Sequence, residues 1–564
     1  MLLAKGPTPA EVTLTMIEDQ HPPLYFILIR AWMDAVGNSE IMTRLLSTFW
    51  SLLTIAAVYR LTADQFGSGT GVLAALILAL TDNDIMLARE VRHYTQLAAF
   101  AALSSLYFLR YARRPARGSG IAWFATSVAL LYTHYLGAFV LLVQGVYALL
   151  CLRPFRRLPD VFFRLALIGS AWLPWAFVFI NQALVRYTRP RIFQSTYAQT
   201  PDTLAMVRGD LVGSHFGITI GLMLLGLLTI FYLKDGVRIT LHGIRRKLYL
   251  ALWVILPTIL IFLIDRRFPI LTTQNFLVVT PPIAVMIAVG FMNLERTARL
   301  FLLVVFVTTS LFTVDAYRLK PPWREVATDV LTLREDDESI LMDVWVDDMA
   351  LRYHIGRALN ADPAALPLVS MWEWREQYGA DYFAYLLAYL QDKPAFWLAY
   401  KGQNLDKLLD FFPQHGYSRV FTKTEYIRDD PIYVYRYERN SGETVAAFGE
   451  MFLLQRVGIS HLPTGETRVN LLWGTQKPPA LDYSISVFIL DAAGALVDQD
   501  DAPPLSGSTS AWTPGGLYFD SHTLRKTLPA GTYAVGVKVY FYADPAPLSV
   551  NGGEYITVGT VTIP

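Results

Sequence analysis

The chain has 564 residues, of which 53% are hydrophobic and 17% charged, with a formal net charge of +1. The length points to several domains, the apolar share exceeds that of ordinary soluble domains, and near-neutral charge supplies no field for nucleic acid. The single cysteine, Cys151, lies in an apolar run; it excludes an intrachain disulfide framework and reads as a buried structural thiol. The first 20 residues lack a basic start followed by an apolar core, so no secretory signal is expected there.

In chain order, "IEDQHPPLYFILI" (17–29) places Glu18, Asp19 and His21 ahead of Pro22-Pro23 and an apolar run. The double proline opens a helix at N1-like positions, where a missing N–H costs little. That helix is short and carries Arg30 and Asp34, which predicts an amphipathic element in the membrane interface rather than a span. Apolar windows of spanning length then recur near 43–61, 70–88, 94–112, 119–134, 136–153, 161–183, 213–233, 247–265, 274–292 and 298–314. They predict a multi-pass α-helical membrane bundle of about ten spans.

The basic loops 111–118, 151–160, 234–247 and 293–299 fall on one side if the spans alternate, which makes that side cytoplasmic. The other face then receives residues 1–42, the turn 89–93, the hinge 134–136, the loops 184–212 and 265–273, and everything after 315.

That outer face collects the titratable groups. "REVRHY" (89–94) brings Arg89, Glu90, Arg92, His93 and Tyr94, "THY" brings His134 and Tyr135, and "VRYTRPR" brings Arg186, Arg189 and Arg191. "DRRF" adds Asp265, Arg266 and Arg267. Lipid headgroup contact is the plain reading of the later arginines, and an interfacial histidine that of His134. Glu90 and Arg92 beside Tyr94, at the head of an apolar hairpin, are costlier to place and read as functional. Arginines bind phosphate in bidentate fashion, and a nearby carboxylate accepts a proton or holds a divalent metal. With 30 Tyr and 32 Phe to line a sugar or prenyl group, the pattern points to sugar transfer from a lipid carrier at the outer leaflet.

The stretch "DQHPPLY", with Arg44 opening the next span and "E-V-R-H-Y" at 90–94, resembles the GT-C membrane glycosyltransferases. The nearest group is the bacterial mannosyltransferase-like family, related to protein O-mannosyltransferases and the lipid A aminoarabinose transferase. The resemblance covers residues 1–315. It implies an inverting glycosyltransferase that takes its sugar from a polyprenyl-phosphate donor in the lipid bilayer. It also implies a further span ahead of this loop, followed by an Asp-Glu pair whose acid serves as base; the chain opens just downstream of that point. Asp19 and Glu90 are the catalytic candidates here. His21, Arg92, Tyr94, His134, Arg266 and Arg267 are the substrate contacts, and Glu18, Asp19 and Glu90 are the residues a divalent metal could use. Gln274 stands where many relatives carry an arginine, which leaves that phosphate contact to Arg266 or Arg267.

After 315 the composition changes. Residues 316–440 alternate helical and strand patterns, which predicts a soluble α/β domain with a mainly parallel sheet and no Gly-rich phosphate loop. Residues 441–564 alternate as short strands with Gly, Pro and Asp turns, which predicts an antiparallel β-sandwich. Trp473 and Trp512 read either as core or as sugar-stacking rings, and "DQDDAPP" (498–504) as a solvated turn. Two further functions stay open at this point: a catalytically inactive relative that binds lipid-linked sugar or scaffolds envelope assembly, and a polyprenyl-sugar transporter. The transporter ranks last because the polar groups gather at one face and no paired halves are visible.

Overall fold

The computed structural model describes residues 8–18, 21–188, 221–222, 224–225, 241–266, 270, 272, 274–314, 322–344, 348–361, 366, 368–401, 405–427, 430–440, 442–462 and 464–563. They fall into two compact units, Met1–Arg318 and Leu319–Pro564.

The first unit is helical. Its described helices are α1 (Pro9–Glu18), α2 (Leu24–Val36), α3 (Glu40–Phe66), α4 (Ser68–Ala79), α5 (Asp82–Ala88), α6 (Tyr94–Arg113), α7 (Arg117–Thr133), α8 (Gly137–Cys151), α9 (Leu158–Thr188), α10 (Leu241–Asp265), α11 (Thr280–Met292) and α12 (Arg296–Val314). Among the described residues, three helices are long and apolar enough to cross a membrane: α3, α9 with its preceding turn, and α10. The window at 70–88 is not straight; α4 and α5 meet at a 63° bend and count as a fourth span only if taken together. The windows at 94–112, 119–134, 136–153, 274–292 and 298–314 fall on α6, α7, α8, α11 and α12, which are shorter or more polar. The window at 213–233 lies mostly outside the described residues.

Helix α2 has 13 residues, a rise of about 20 Å, too short for a bilayer core of about 30 Å. Pro23 is its N-cap rather than a first-turn residue, and its carbonyl accepts the Ile27 N–H at 3.0 Å. Tyr25, Phe26 and Ile29 are buried, while Arg30 and Asp34 pair at 3.0 Å on the other side. The core of the unit is apolar with a polar thread through it. Trp123 donates to Gln144, Gln144 to Ser104, and Ser104 meets Ser127, each at 2.8 Å. Such a buried thread is fully bonded at these contacts, which is the condition for tolerating it in an apolar interior. Gly71 lets α4 approach α3 closely, since a Cβ there would lie 2.9 Å from the Tyr59 carbonyl oxygen. Cys151 is buried and outside any disulfide.

The second unit opens with α13 (Trp323–Leu333), β1 (Ser339–Asp343), α14 (Asp348–Ala358), β2 (Leu368–Ser370), α15 (Met371–Tyr378), α16 (Tyr382–Leu390), β3 (Ala395–Tyr400), α17 (Leu405–Gln414), β4 (Tyr417–Ile427) and β5 (Asp430–Arg439). The sheet order is β2-β1-β3-β5-β4. It is mixed rather than mainly parallel: β1 runs parallel to β2 and β3, but β5 is antiparallel to both β3 and β4. Two residues separate β4 from β5 in sequence, and a link that short permits only an antiparallel pair.

The sandwich follows with β6 (Ala446–Phe448), β7 (Phe452–His461), β8 (Thr467–Thr475), β9 (Tyr483–Leu490), β10 (Leu496–Ala502), β11 (Leu517–Leu524), β12 (Gly531–Phe541), β13 (Asp544–Pro547) and β14 (Ile556–Ile563). One sheet runs β10-β9-β12-β13 with β14 on β12; the other runs β11-β8-β7-β6. Trp473 and Trp512 are buried in the core, where Trp512 stacks on Tyr518 at 4.3 Å, so the core reading holds for both. The acidic run at 498–504 is no loose turn; its first five residues lie in β10, and Asp500 bonds His522 at 2.9 Å.

A buried charge network joins the mixed sheet to the sandwich. Arg436 on β5 pairs with Glu338 at 2.6 Å and with Glu438, and Trp397 donates to Glu338 at 2.7 Å. Arg456 on β7 pairs with Glu335 at 2.7 Å and with Glu438 at 2.9 Å. Arg468 and Asn470 on β8 donate to the carbonyls of Leu331, Thr332 and Leu333, the open end of α13. Each of these contacts crosses or supports the seam, so the two layers hold together as one unit.

Candidate functional site

The motif residues of the first unit meet where three connections converge: the segment before α2, the turn between α5 and α6, and the link between α7 and α8. The ring centroids of His21 and His93 are 4.5 Å apart, and those of His93 and His134 are 4.9 Å apart. Tyr94 lies 4.3 Å from His93 and 6.0 Å from His134. Tyr25 and Phe26, one helical turn past the prolines, close the cluster at 6.2 and 6.3 Å from His93.

Local contacts set these positions. Ser47 on α3 donates to the Arg92 carbonyl at 3.3 Å and meets the Tyr25 hydroxyl at 3.2 Å. Thr48 donates to the Ala88 carbonyl at 3.0 Å. The start of α3 therefore fixes both the turn 89–93 and helix α2. Behind the cluster, Tyr135 donates to Gln182 at 2.5 Å, and Gln182 reaches back to the Met16 carbonyl of α1 at 3.0 Å.

His93 is fully buried and His134 nearly so. Both lie in connections between helices. Burial pushes the His93 imidazolium far below the ordinary histidine range, reinforced by His21, His134 and Arg92. Burial, then His21, brings His134 down to about 3. Both rings are therefore neutral at physiological pH. The Leu136 N–H donates to Nδ1 of His134 at 3.1 Å, so its proton sits on Nε2. Among the described residues, neither nitrogen of His93 has a hydrogen-bond partner.

Arg92 is exposed and Glu90 half-exposed, both on the same turn as His93. The cluster thus presents the neutral imidazoles of His93 and His134 beside a turn that also carries a guanidinium and a carboxylate. Imidazole N–H groups and tyrosine hydroxyls suit sugar hydroxyls, the guanidinium suits a phosphate, and the carboxylate can accept a proton.

The structure brings His21, Tyr94 and His134 together with Glu90 and Arg92. It does not bring in Arg266, which is exposed at the end of α10 with no contact to the cluster among the described residues. Asp19, Arg267 and the side chain of Glu18 lie outside the described residues. Among the described residues no group of three His, Cys, Asp or Glu side chains is arranged to hold a metal ion. His93 occupies the centre of the cluster, although the motifs give it no role. Its one signal in the sequence is its place between Arg92 and Tyr94.

The motif cluster lies within the stretch whose motifs resemble the GT-C membrane glycosyltransferases. Residues 20–175 match the family of dolichyl-phosphate-mannose-protein mannosyltransferases. No curated protein matches the chain. Among solved structures, the chain is similar to ArnT from Cupriavidus metallidurans bound to undecaprenyl phosphate, at 13% identity and a TM-score of 0.48, covering 76% of this chain and 92% of that one. It is also similar to an Archaeoglobus fulgidus oligosaccharyltransferase in complex with zinc and sulfate, at 11% identity and a TM-score of 0.47, covering 96% and 90%.

Proposed function

We propose that the chain is a membrane glycosyltransferase that moves a sugar from a polyprenyl-phosphate donor to an envelope acceptor at the outer face. The observation that carries this reading is the convergence of His21, His93, Tyr94 and His134 inside the segment that matches the mannosyltransferase family. Arg92 holds the donor phosphate, the imidazoles and Tyr94 orient the sugar, and Glu90 accepts the proton of the attacking hydroxyl. Transfer proceeds with inversion, the acceptor oxygen attacking the anomeric carbon as the lipid phosphate leaves. Asp19 is proposed as a second carboxylate of the same cavity, and Arg267 with Arg266 as contacts to the lipid. A divalent metal, if one is used, is proposed to bind through Glu18, Asp19 and Glu90. The proposed topology places the Leu319–Pro564 unit outside the cytoplasm, with residues 316–440 and 441–564 as its two domains.

The test is sugar transfer by the purified full chain in lipid nanodiscs, using radiolabelled polyprenyl-phosphate mannose and envelope extracts as acceptor, with and without magnesium or manganese. The expected result is transfer that drops at least about a hundredfold in Glu90→Gln, the usual scale for loss of a general base. Equal transfer by Glu90→Gln and the wild type would refute the role of Glu90. Lipid translocation without transfer would favour the transporter reading.

A further inference from the structure

Helices α15 and α16 carry a group of aromatic rings at the edge of the core: Trp374, Tyr378 and Tyr389 pack against it with their inner sides, and Tyr385 stands outside it. Tyr378 and Tyr385 lie face to face, their ring centroids 3.9 Å apart and their planes at 17°. Trp374 meets Tyr378 edge-on at 6.0 Å and Tyr389 edge-on at 5.2 Å. Tyr385 and Tyr389 are four residues apart on one helix and so share a face. The four rings therefore form a single continuous surface. Tyr385 is 50% exposed, and the other three are half-buried. Aromatic pairs ordinarily prefer edge-on or offset geometry at larger separation. A close, nearly parallel pair with one ring half in solvent offers a flat face on which a further layer can stack.

The rim decides the occupant. Glu373, Asp381 and Asp392 are exposed around the rings. Of the cations nearby among the described residues, Arg375 is paired with buried Asp343, Arg352 with Glu373 at 3.7 Å, and Lys393 lies over the Tyr389 ring at 5.1 Å. This rim has no cationic excess, so it does not suit an anionic lipid surface, which recruits clustered lysines and arginines. It does not suit a phosphate for the same reason. A neutral oligosaccharide fits. Its pyranose rings present a C–H face to an aromatic plane and hydroxyls at the edge, where tyrosine hydroxyls and rim carboxylates can hydrogen-bond. The sandwich tryptophans cannot serve this purpose, because both are buried.

We propose that Trp374, Tyr378, Tyr385 and Tyr389 form a carbohydrate-binding platform for a neutral oligosaccharide. As the acceptor glycan's docking surface it rests on the glycosyltransferase reading; as a binding site it does not. The full chain in detergent is titrated by calorimetry with soluble maltohexaose, cellohexaose, mannohexaose and chitohexaose. At least one of the four binds, Tyr385→Ala weakens that binding about tenfold, and Tyr385→Phe keeps it within about threefold. Binding of none of the four overturns the proposal, as does equal binding by Tyr385→Ala and the wild type. Equal loss in Tyr385→Phe, which keeps the ring, also overturns it. Sugar transfer is measured separately, so a silent transfer assay with ring-dependent glycan binding removes the enzyme reading and leaves the platform. Active transfer without such binding does the reverse.

Discussion

His21 and His93, seventy-two positions apart in sequence, lie ring to ring at 4.5 Å. The contact joins the proline-capped entry of α2 to the turn ahead of α6. It is what turns two separate motifs into one site.

Burial holds the His93 side of that contact neutral, as it does His134, and this has a pH consequence. The folded state depresses the pKa of His93 and of His134, so the unfolded chain binds more protons below about pH 6.5. The stabilisation is complete above that value and is lost as pH falls toward the folded pKa values. Thermal unfolding of the detergent-solubilised chain should show a Tm that falls from pH 7 to pH 5. His93→Phe, which cannot be protonated, should flatten that slope.

The sandwich responds in the opposite direction. His522 is buried between Asp500 at 2.9 Å and Asp520 at 3.0 Å. Burial opposes its charge, but the hydrogen bonds to both carboxylates win and raise it to about 9. The resulting stabilisation is present in full below about pH 6.5 and is lost as pH rises through about 9. A tryptophan fluorescence melt between pH 7 and pH 10 should show this loss in the wild type and a shallower one in His522→Asn.

Arg436 is the least replaceable residue of the seam. It is buried, and removing it takes from Glu338 and Glu438 their shorter charged contacts and leaves them Arg456, at 3.5 and 2.9 Å. Arg436→Ala should cost about 3–5 kcal/mol of stability, the scale for breaking a buried pair. Arg436→Ala combined with Glu338→Gln and Glu438→Gln should recover part of that loss in denaturant titration. A single variant that unfolds like the wild type contradicts the role given to the network.

Arg92 should act on binding rather than on the chemical step. Arg92→Ala should raise the donor KM about tenfold while leaving kcat within a few-fold, the signature of an interaction equal in ground and transition states. Steady-state kinetics with polyprenyl-phosphate mannose read this directly.

Much of this was legible in the chain. The shortness of α2 and its polar side with Arg30 and Asp34 followed from the sequence, and the sandwich followed from strict alternation. The mixed sheet was harder to read, because strands and helices alternate as in a parallel layer until the two-residue link between β4 and β5. Helix α16 was hard to read because "YFAYLLAYL" is apolar or aromatic at every position and shows no polar face. The burial of Trp473 and Trp512 is a matter of tertiary packing, which a strand position for the one and a loop position for the other do not reveal. The site was legible in its parts but not in its centre. The motifs named His21, Glu90, Arg92, Tyr94 and His134, whereas the position of His93 between two distant histidines depends on how three connections converge.

The most direct measurement maps the donor on the protein. A polyprenyl phosphate bearing a photoactivatable group beside its phosphate is crosslinked to the full chain in nanodiscs, and labelled peptides are sequenced by mass spectrometry. The account predicts label on the segments containing Glu90 to Tyr94 and His134, and its loss in Arg92→Ala. Label confined to other segments, or unchanged labelling in that variant, would contradict the placement of the donor at the histidine cluster.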